Sequence, residues 1–337
     1  MDYKDIVRVN KNVKEKLITK KDDLLVCARN GSARLIGKNA ILHEADANQT
    51  FGAFMMVFRS DKNHFVHQLL NTRRYTSQVS ENLGARINQI TSSDLSSFEF
   101  FFPTENSEMN KIAALLDLLD ERIVTQSKII EDLKKLKSAI IDYAINSLHC
   151  DFVKFGALYE MAGEGGTPAT SNAAYYDNGN IPFIKIDDLK QKYLIEHKDF
   201  ITELGLKKSS AWLIPTNSIL YSNGATIGEI SITTYPVCTK QGILGIVPKP
   251  IIDVEFLYYF MSSTYFHKAV SRIVTEGTMK TAYLKDINNI RCPIPTKEKQ
   301  LDIAKMPSAL NSKIDFEQSI LKLFGLQKQY LLRQMFI

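Results

Sequence analysis

Three polar stretches hold residue types that handle phosphates and base edges: CTKQG (238–242), EGTMKTAYLKD (276–286) and GARINQITSSD (84–94). Each mixes Lys or Arg with Thr, Ser, Asn or Gln. Cations and short polar side chains bond phosphate oxygens, while Arg, Lys, Asn and Gln read base edges. The same types also fill ordinary solvated turns, so any single residue carries both readings. A fourth stretch, GEGGTPATSNAAYY (163–176), is glycine-rich without the G-x-G-x-x-G spacing of a dinucleotide loop. It reads as a flexible surface loop. Its Thr167, Thr170, Ser171, Asn172 and two tyrosines can donate to phosphates or stack on sugars. GSARLIGKN (31–39) imitates a phosphate loop and fails. Five residues separate Gly31 from Gly37 where four are needed, and Asn39 stands where Ser or Thr should hold magnesium.

Catalytic constellations are absent from the sequence. His43, His64, His67, His149, His197 and His267 are scattered and read as surface or locally satisfied residues. No His-Glu metal helix, nucleophile elbow, nuclease carboxylate-lysine set or Asn/Asp-Pro-Pro-aromatic motif of amino-group methylation occurs. Cys27, Cys150, Cys238 and Cys292 are far apart, with neither zinc spacing nor a disulfide framework. That usage suits a reducing cytoplasm. No apolar run approaches a membrane span, so no membrane association is expected. A net charge of +5 over 337 residues is compatible with nucleic-acid binding and weak evidence by itself. The length suggests about two domains.

The elements that must position these loops repeat. In 103–144, apolar residues at Ile112, Leu116, Leu119, Ile123, Ile130, Leu133, Ile140 and Ala144 follow the 4/3 seam of a coiled coil. Ile303, Leu310, Ile314, Leu321, Phe324, Leu331 and Met335 take up that seam 191 residues later. Polar intrusions coincide too: Gln126 matches Glu317 and Lys137 matches Lys328. Two unrelated amphipathic helices would not share a register of defects. Each polar residue is expected either to meet the other helix or to be solvated.

The repeat extends backwards. DDLLVCARNGSARLIGKNAI (22–41) and TNSILYSNGATIGEISI (216–232) both read as strand, tight Asn-Gly turn, strand. Asn30-Gly31 is matched with Asn223-Gly224, and Gly37 with Gly228. A helix of about 15 residues is expected near 62–80 and again near 253–272. SSDLSSFEFFFP (92–103) resembles LKDINNIRCPIP (284–295), with Asp94 opposite Asp286 and Pro103 opposite Pro295. Residues 151–183 have no counterpart in the first half, so the chain is expected to begin inside a domain. Met306-Pro307 falls on the second seam. Because proline inside a helix costs about 3 kcal/mol, a continuous helix is expected only from Pro307.

This constellation resembles the specificity subunit of type I restriction-modification systems. GGTPATSNAAYYDNGNIPFIKIDDL (165–189) looks like the opening of a target recognition domain. SSAWLIPTNSILYSNGATIGEISI and TKQGILGI (209–232 and 239–246) look like its middle, and LKDINNIRCPIPTKEKQLDIA (284–304) like its exit into a conserved helix. The resemblance implies a mixed α+β fold. Two globular target recognition domains are joined by two long helices in an antiparallel coiled coil, with an internal pseudo-twofold repeat. It implies domains at 1–103 (N-terminally shortened) and 149–295, with conserved helices at 104–148 and 296–337. It also implies a non-catalytic chain that reads a bipartite site on double-stranded DNA. Such a chain docks two methyltransferase subunits, which hold S-adenosylmethionine, and restriction motor-nuclease subunits; it binds no cofactor itself.

A double helix has an approximate twofold axis, and a duplicated chain can match it while its two halves diverge. The DNA face is expected to use Thr167, Thr170, Ser171, Asn172, Lys185, Ser222, Asn223, Thr226, Lys240, Gln241, Thr278 and Lys280 in the second domain. In the first it is expected to use Arg8, Arg29, Asn30, Ser32, Arg34 and Arg86. The helix contact is expected along Leu119, Ile123, Ile130 and Leu133 against Leu310, Ile314, Leu321, Phe324 and Leu331. The competing reading is a coiled-coil interaction protein that no longer reads DNA. An independent methyltransferase or nuclease lacks its motifs.

Overall fold

The computed structural model describes residues 7–10, 12–83, 88–224, 226–274 and 280–336. It divides into two compact units, Met1–Ile129 with Glu317–Ile337 (unit 1) and Ile130–Phe316 (unit 2). Unit 1 holds β1 (Leu24–Cys27), β2 (Asn39–Ile41), β3 (Met55–Phe58), α1 (Asn63–Leu69), α2 (Arg73–Leu83), α3 (Ser92–Ser96) and the start of α4 (Asn106–Asn146). Unit 2 continues through β4 (Phe152–Lys154), β5 (Tyr159–Glu164), β6 (Ile181–Ile184), β7 (Tyr193–Leu194), β8 (Asp199–Ile201) and α5 (Glu203–Lys207). It then holds β9 (Ile219–Ser222), β10 (Ile230–Thr233), β11 (Cys238–Thr239), β12 (Ile243–Pro248), α6 (Val254–Met261), α7 (Thr264–Ile273), α8 (Leu284–Ile287) and β13 (Arg291–Pro293), before α9 (Lys297–Met335).

The main sheet of unit 2 has the order β5-β12-β9-β10-β7. Its central strand, ILYS, is buried at all four residues, as expected of an apolar strand covered on both faces. One face packs on α6 and α7, where Phe256, Leu257, Phe260 and Phe266 join Ile219, Tyr221 and Ile246. The other holds Leu220, Ile243, Ile184 and Val237. Both helices start on capping side chains that accept an orphan backbone N–H: Asp253 from Phe256 at 2.9 Å and Ser263 from Phe266 at 3.2 Å. The single helix expected over 253–272 is therefore two, broken at Ser262-Ser263. Likewise α1 and α2 divide 62–80 at 70–72, where Thr72 bonds back to Leu69.

Unit 1 carries the three central strands of the same sheet, in the order β2-β1-β3. The hydrogen bonds repeat atom for atom. The Cys27 N–H donates to Lys38 O and receives Gly37 N–H at its carbonyl; Ser222 does the same with Glu229 and Gly228. Gly37 (φ +80°) and Gly228 (φ +108°) both occupy the left-handed region at that turn. Ala28 N–H bonds Phe54 O and Ala28 O accepts from Ile90. Asn223 bonds Gly242 and Ala282 in the same way. The structural partner of Asn223 is therefore Ala28, not Asn30. Neither Asn-Gly pair makes a two-residue turn, because the connections run 28–38 and 223–229. The strand pairing agrees with the sequence reading; the turn geometry and the Asn-Gly alignment do not.

Within each unit the long helices run antiparallel. In unit 1, Gln126 Nε2 donates to Glu317 O at 3.1 Å and to the Glu317 carboxylate, and Lys328 bonds Asp120. In unit 2, Lys137 Nζ donates to Asn311 Oδ1 at 2.9 Å. A shift of 191 converts Lys137–Asn311 into Lys328–Asp120 and the Gln126–Glu317 pair into itself. Leu119, Ile130 and Ile314 are buried; Ile123, Leu133, Leu310, Leu321, Phe324 and Leu331 are half-buried. Contrary to the expected break, α9 is continuous through Pro307. Ile303, Ala304 and Pro307 are all buried. One residue on, Ser308 is gripped by Lys192 and Tyr259, each at 3.1 Å, and by Glu255. Tertiary packing of this kind offsets one lost helix bond.

Candidate nucleic-acid interface

In unit 2, four connections gather at one edge of the main sheet because backbone bonds tie them together. Gly165 N–H bonds Ile243 O at 2.8 Å, Asn223 N–H bonds Gly242 O at 3.0 Å and Ala282 N–H bonds Asn223 O at 2.9 Å. Thr167 Oγ1 accepts from Gln241 N–H at 3.3 Å, and Glu164 accepts from Gly242 N–H at 2.9 Å. The approach is so close that a Cβ on Gly165 would lie 2.2 Å from Thr239 Oγ1, and one on Gly166 2.3 Å from Ser210 Oγ. The glycine pair is thus a packing device, and the first part of the expected flexible loop is buried.

What this cluster exposes is a short polar set: Thr226, Lys240, Gln241 and Lys280, with Thr170, Ser171 and Asn172 on the neighbouring loop. Thr167 is half-buried, and Asn172 also caps the short turn that follows, accepting from Ala174 N–H at 3.1 Å. Lys240 is held beside Lys185 by its own N–H, which bonds Ile184 O at 2.9 Å. The Lys185 ammonium, however, sits 2.8 Å from Asp199, so part of its charge is already answered.

Two expected DNA contacts are corrected by burial. Ser222 and Asn223 are 0% and 1% exposed. Ser222 Oγ accepts from Glu229 N–H at 2.8 Å and donates to Thr226 O. Asn223 Nδ2 donates to Ala282 O at 3.3 Å. Both knit the connections together from inside. Their position one turn before a glycine resembles an exposed tip in sequence, but the strands on either side cover it. Thr278 and Arg86 lie outside the described residues.

Unit 1 presents the equivalent edge with other chemistry. Arg29, Ser32 and Arg34 are exposed on the 28–38 connection, and Arg8 is exposed upstream of it. Asn30 folds back to accept from Ser32 N–H at 2.9 Å. Arg29 donates through Nε to Gln89 Oε1 at 2.9 Å, and its guanidinium lies 5.9 Å from the centre of the Phe54 ring. Gln89 and Phe54 went unrecognised in the sequence. Gln89 lies inside the polar stretch 84–94, but only the bridge between Arg29 and Gln89 brings it to this edge. Phe54 carries no local signal, since an exposed aromatic on a loop looks like any core residue until its strand is placed.

Buried ionisable groups lie away from these loops. Burial raises the Asp23 carboxyl, but Arg59 and the Lys20 N–H outweigh it and hold the pKa below the usual carboxylate value. Burial also lowers the Lys137 ammonium and the His67 imidazole, the latter with help from Lys328. Among the described residues no His, Cys, Asp and Glu set could hold a metal ion, and no helix is long and apolar enough to cross a membrane.

Comparison with known proteins points one way. A family model described as the type I restriction modification DNA specificity domain matches residues 150–323, just over half the chain. The MjaIX type I restriction enzyme specificity subunit of Methanocaldococcus jannaschii is 30% identical over 168 residues, covering 49% of this chain and 38% of that one. The HindI specificity subunit of Haemophilus influenzae is 34% identical over 115 residues, 34% of this chain and 25% of its own. The matches thus span well under half the length of these relatives. In fold, the chain is similar to a type I restriction-modification S subunit from M. genitalium, with TM-score 0.59 at 18% identity, covering 95% of this chain and 84% of that one. A chain from a study of type I system assembly gives TM-score 0.58 at 15% identity, covering 94% and 82%.

Proposed function

The chain belongs to the type I restriction-modification DNA specificity family, and we propose that it is the DNA-reading subunit of such a complex. It binds double-stranded DNA at a bipartite site, one half-site per unit. It catalyses nothing itself. The methyltransferase subunits it docks bring S-adenosylmethionine, and restriction motor-nuclease subunits join the same cytoplasmic assembly. The observation that carries this reading is the repeated sheet edge. One backbone scaffold appears twice and offers Lys240, Gln241, Lys280 and Thr226 in one unit, Arg29, Ser32, Arg34 and Gln89 in the other. Identical frameworks with unlike cationic and amide side chains are what reading two different half-sites requires.

The test is duplex binding by the full chain with its methyltransferase partners, titrated with salt. Neutralised phosphates release counterions, so the logarithm of the binding constant falls linearly with log salt, with a slope of about −0.9 per contact on B-form DNA. Affinity that ignores both salt and sequence would instead favour an interaction rod that reads no DNA. The pattern of methylated adenines in cells carrying the complex would then give the site itself.

A further inference from the structure

We propose that unit 1 is completed by a strand–turn–strand segment of a separate polypeptide, seated on two backbone edges that unit 2 fills from its own chain. The inference rests on the sheets and holds whether or not unit 1 reads DNA.

In unit 2 one continuous stretch, 152–164, covers two edges. β5 lies antiparallel against β12, pairing Gly163 with Gly245 and Met161 with Val247. β4 lies antiparallel against β13, pairing Val153 with Cys292. Between the two strands Phe155 and Leu158 plug the core, 0% and 2% exposed, and the Phe155 ring packs 5.5 Å from Phe266.

Both edges recur in unit 1, and among the described residues neither is paired. β3 corresponds to β12, since Phe54 and Gly242 accept equivalent bonds. The β1–β3 register sets Cys27 opposite Met55 and Leu25 opposite Val57. With Ala28 N–H bonded to Phe54 O, ladder alternation turns Met55 and Val57 away from β1. The Met55 carbonyl and both backbone groups of Val57 therefore point off the sheet. Their unit 2 counterparts are Ile243, whose carbonyl takes Gly165 N–H, and Gly245.

The second edge is 98–102, the counterpart of 290–294. In unit 2, Ile290 O accepts from Phe155 N–H at 2.8 Å, and Ile294 N–H donates to Asp151 O at 3.0 Å. Phe98, Phe100 and Phe102 hold those alternate positions. The inward side of 98–102 is already satisfied. Arg74 Nε donates to Glu99 O and Glu99 N–H donates to Gln78 Oε1, much as Tyr265 bonds Arg291 O in unit 2. Only the outward side is bare.

Apolar exposure follows the same line. Every residue of β3 is half-buried, whereas the first four of β12 are buried. Phe54, Phe101 and Phe102 are 57%, 67% and 49% exposed. The occupant must therefore carry an extended strand, a short turn with two large apolar side chains three residues apart, and a second strand. A carboxylate at the place of Glu164 would complement Arg29, whose hydrogen-bond partner here is the neutral Gln89. A bare strand edge of this kind is a template for another chain.

The test is hydrogen exchange on the full chain with and without a synthetic peptide of residues 151–165, the segment that defines the pattern. At saturating peptide, exchange at Val57 and Phe100 should slow at least tenfold, while Gly245 and Cys292 stay unchanged. A peptide with Phe155→Asp and Leu158→Asp should protect nothing. Val57→Pro removes an outward N–H that β1 does not use, and proline is tolerated on an edge strand. This variant should keep the thermal midpoint of the parent and lose the peptide effect. No slowing, or an equal response in Val57→Pro, overturns the proposal. So does slow exchange at 55–58 in the chain alone, which would mean that its own residues already cover the edge. Self-association abolished by Val57→Pro would put a second copy there and equally overturn it.

Discussion

The two units share a backbone plan and differ in what surrounds it. In unit 2 the three-strand centre is flanked by β5 and β7, roofed by α6 and α7, and closed underneath by a second layer around Trp212. In unit 1 the same centre stands with α1 and α2 alone, over a smaller core of Leu24, Val26, Tyr75 and Val79 with Phe98 and Phe100. Tyr75 occupies the place of Phe266 and reaches Gly37 O with its hydroxyl at 2.9 Å. The comparison separates two requirements. The hydrogen-bonded connections that present the polar loops need only three strands and the left-handed glycine. The loops' rigidity needs the flanking layers, because loop backbone is held by whatever packs behind it.

Removing the extra layer from unit 2 is the largest perturbation that tests this. Phe155→Ala should cost about 3–5 kcal/mol, as for other buried aromatic truncations. By chemical denaturation monitored through hydrogen exchange, the loss should appear in 150–295 and leave 20–100 unchanged. A uniform loss across both units would mean that they unfold as one, and the comparison would fail.

The helix pair offers a smaller effect. Gln126 and Glu317 are buried against each other at 7% exposure each, and truncating one leaves the other without its partner. Gln126→Ala should therefore destabilise by about 1–3 kcal/mol, whereas Gln126→Leu with Glu317→Leu should be close to neutral. Urea unfolding of the three variants would show it. If the double apolar variant were the worst of the three, the polar pair would be stabilising in its own right.

Loop chemistry can be weighed between units by salt titration. Lys240→Gln with Lys280→Gln should flatten the salt slope of DNA binding by about 2. Lys185→Gln should change it less, because Asp199 already shares that charge. Arg29→Gln with Arg34→Gln is the matching pair in unit 1. Equal effects from both pairs would show two reading units; an effect from the unit 2 pair alone would show one.

The smallest effect is one of pH and belongs to unit 1. The Asp23 carboxyl has a folded pKa below its unfolded value. Its contribution to stability is therefore full above the ordinary carboxylate range and is lost as pH falls through the lowered value. Because the Arg59 side chain is 40% exposed, the pair contributes at most a fraction of a kcal/mol after screening. Asp23→Asn should remove that acid dependence from unit 1 unfolding and leave unit 2 untouched.

The sequence alone determined the duplication, because heptad spacing, the matched polar intrusions and the two positive-φ glycines are local patterns that survive without contacts. It also determined the strand pairs and the polar stretches from which the exposed loops are drawn. Only the tertiary structure decided which of those polar residues face outward. Ser222 and Asn223 look like a loop tip in one dimension, yet bonds to Glu229 and Ala282, the latter 59 residues away, turn them inward. Lys185 looks like a free cation until β8 brings Asp199 beside it. Pro307 looks like a helix stop until Ser308 is seen held by Lys192, Tyr259 and Glu255. In each case the deciding partner is distant in sequence. Local propensity sets what a segment can do, and the free energy of long-range packing selects among those options.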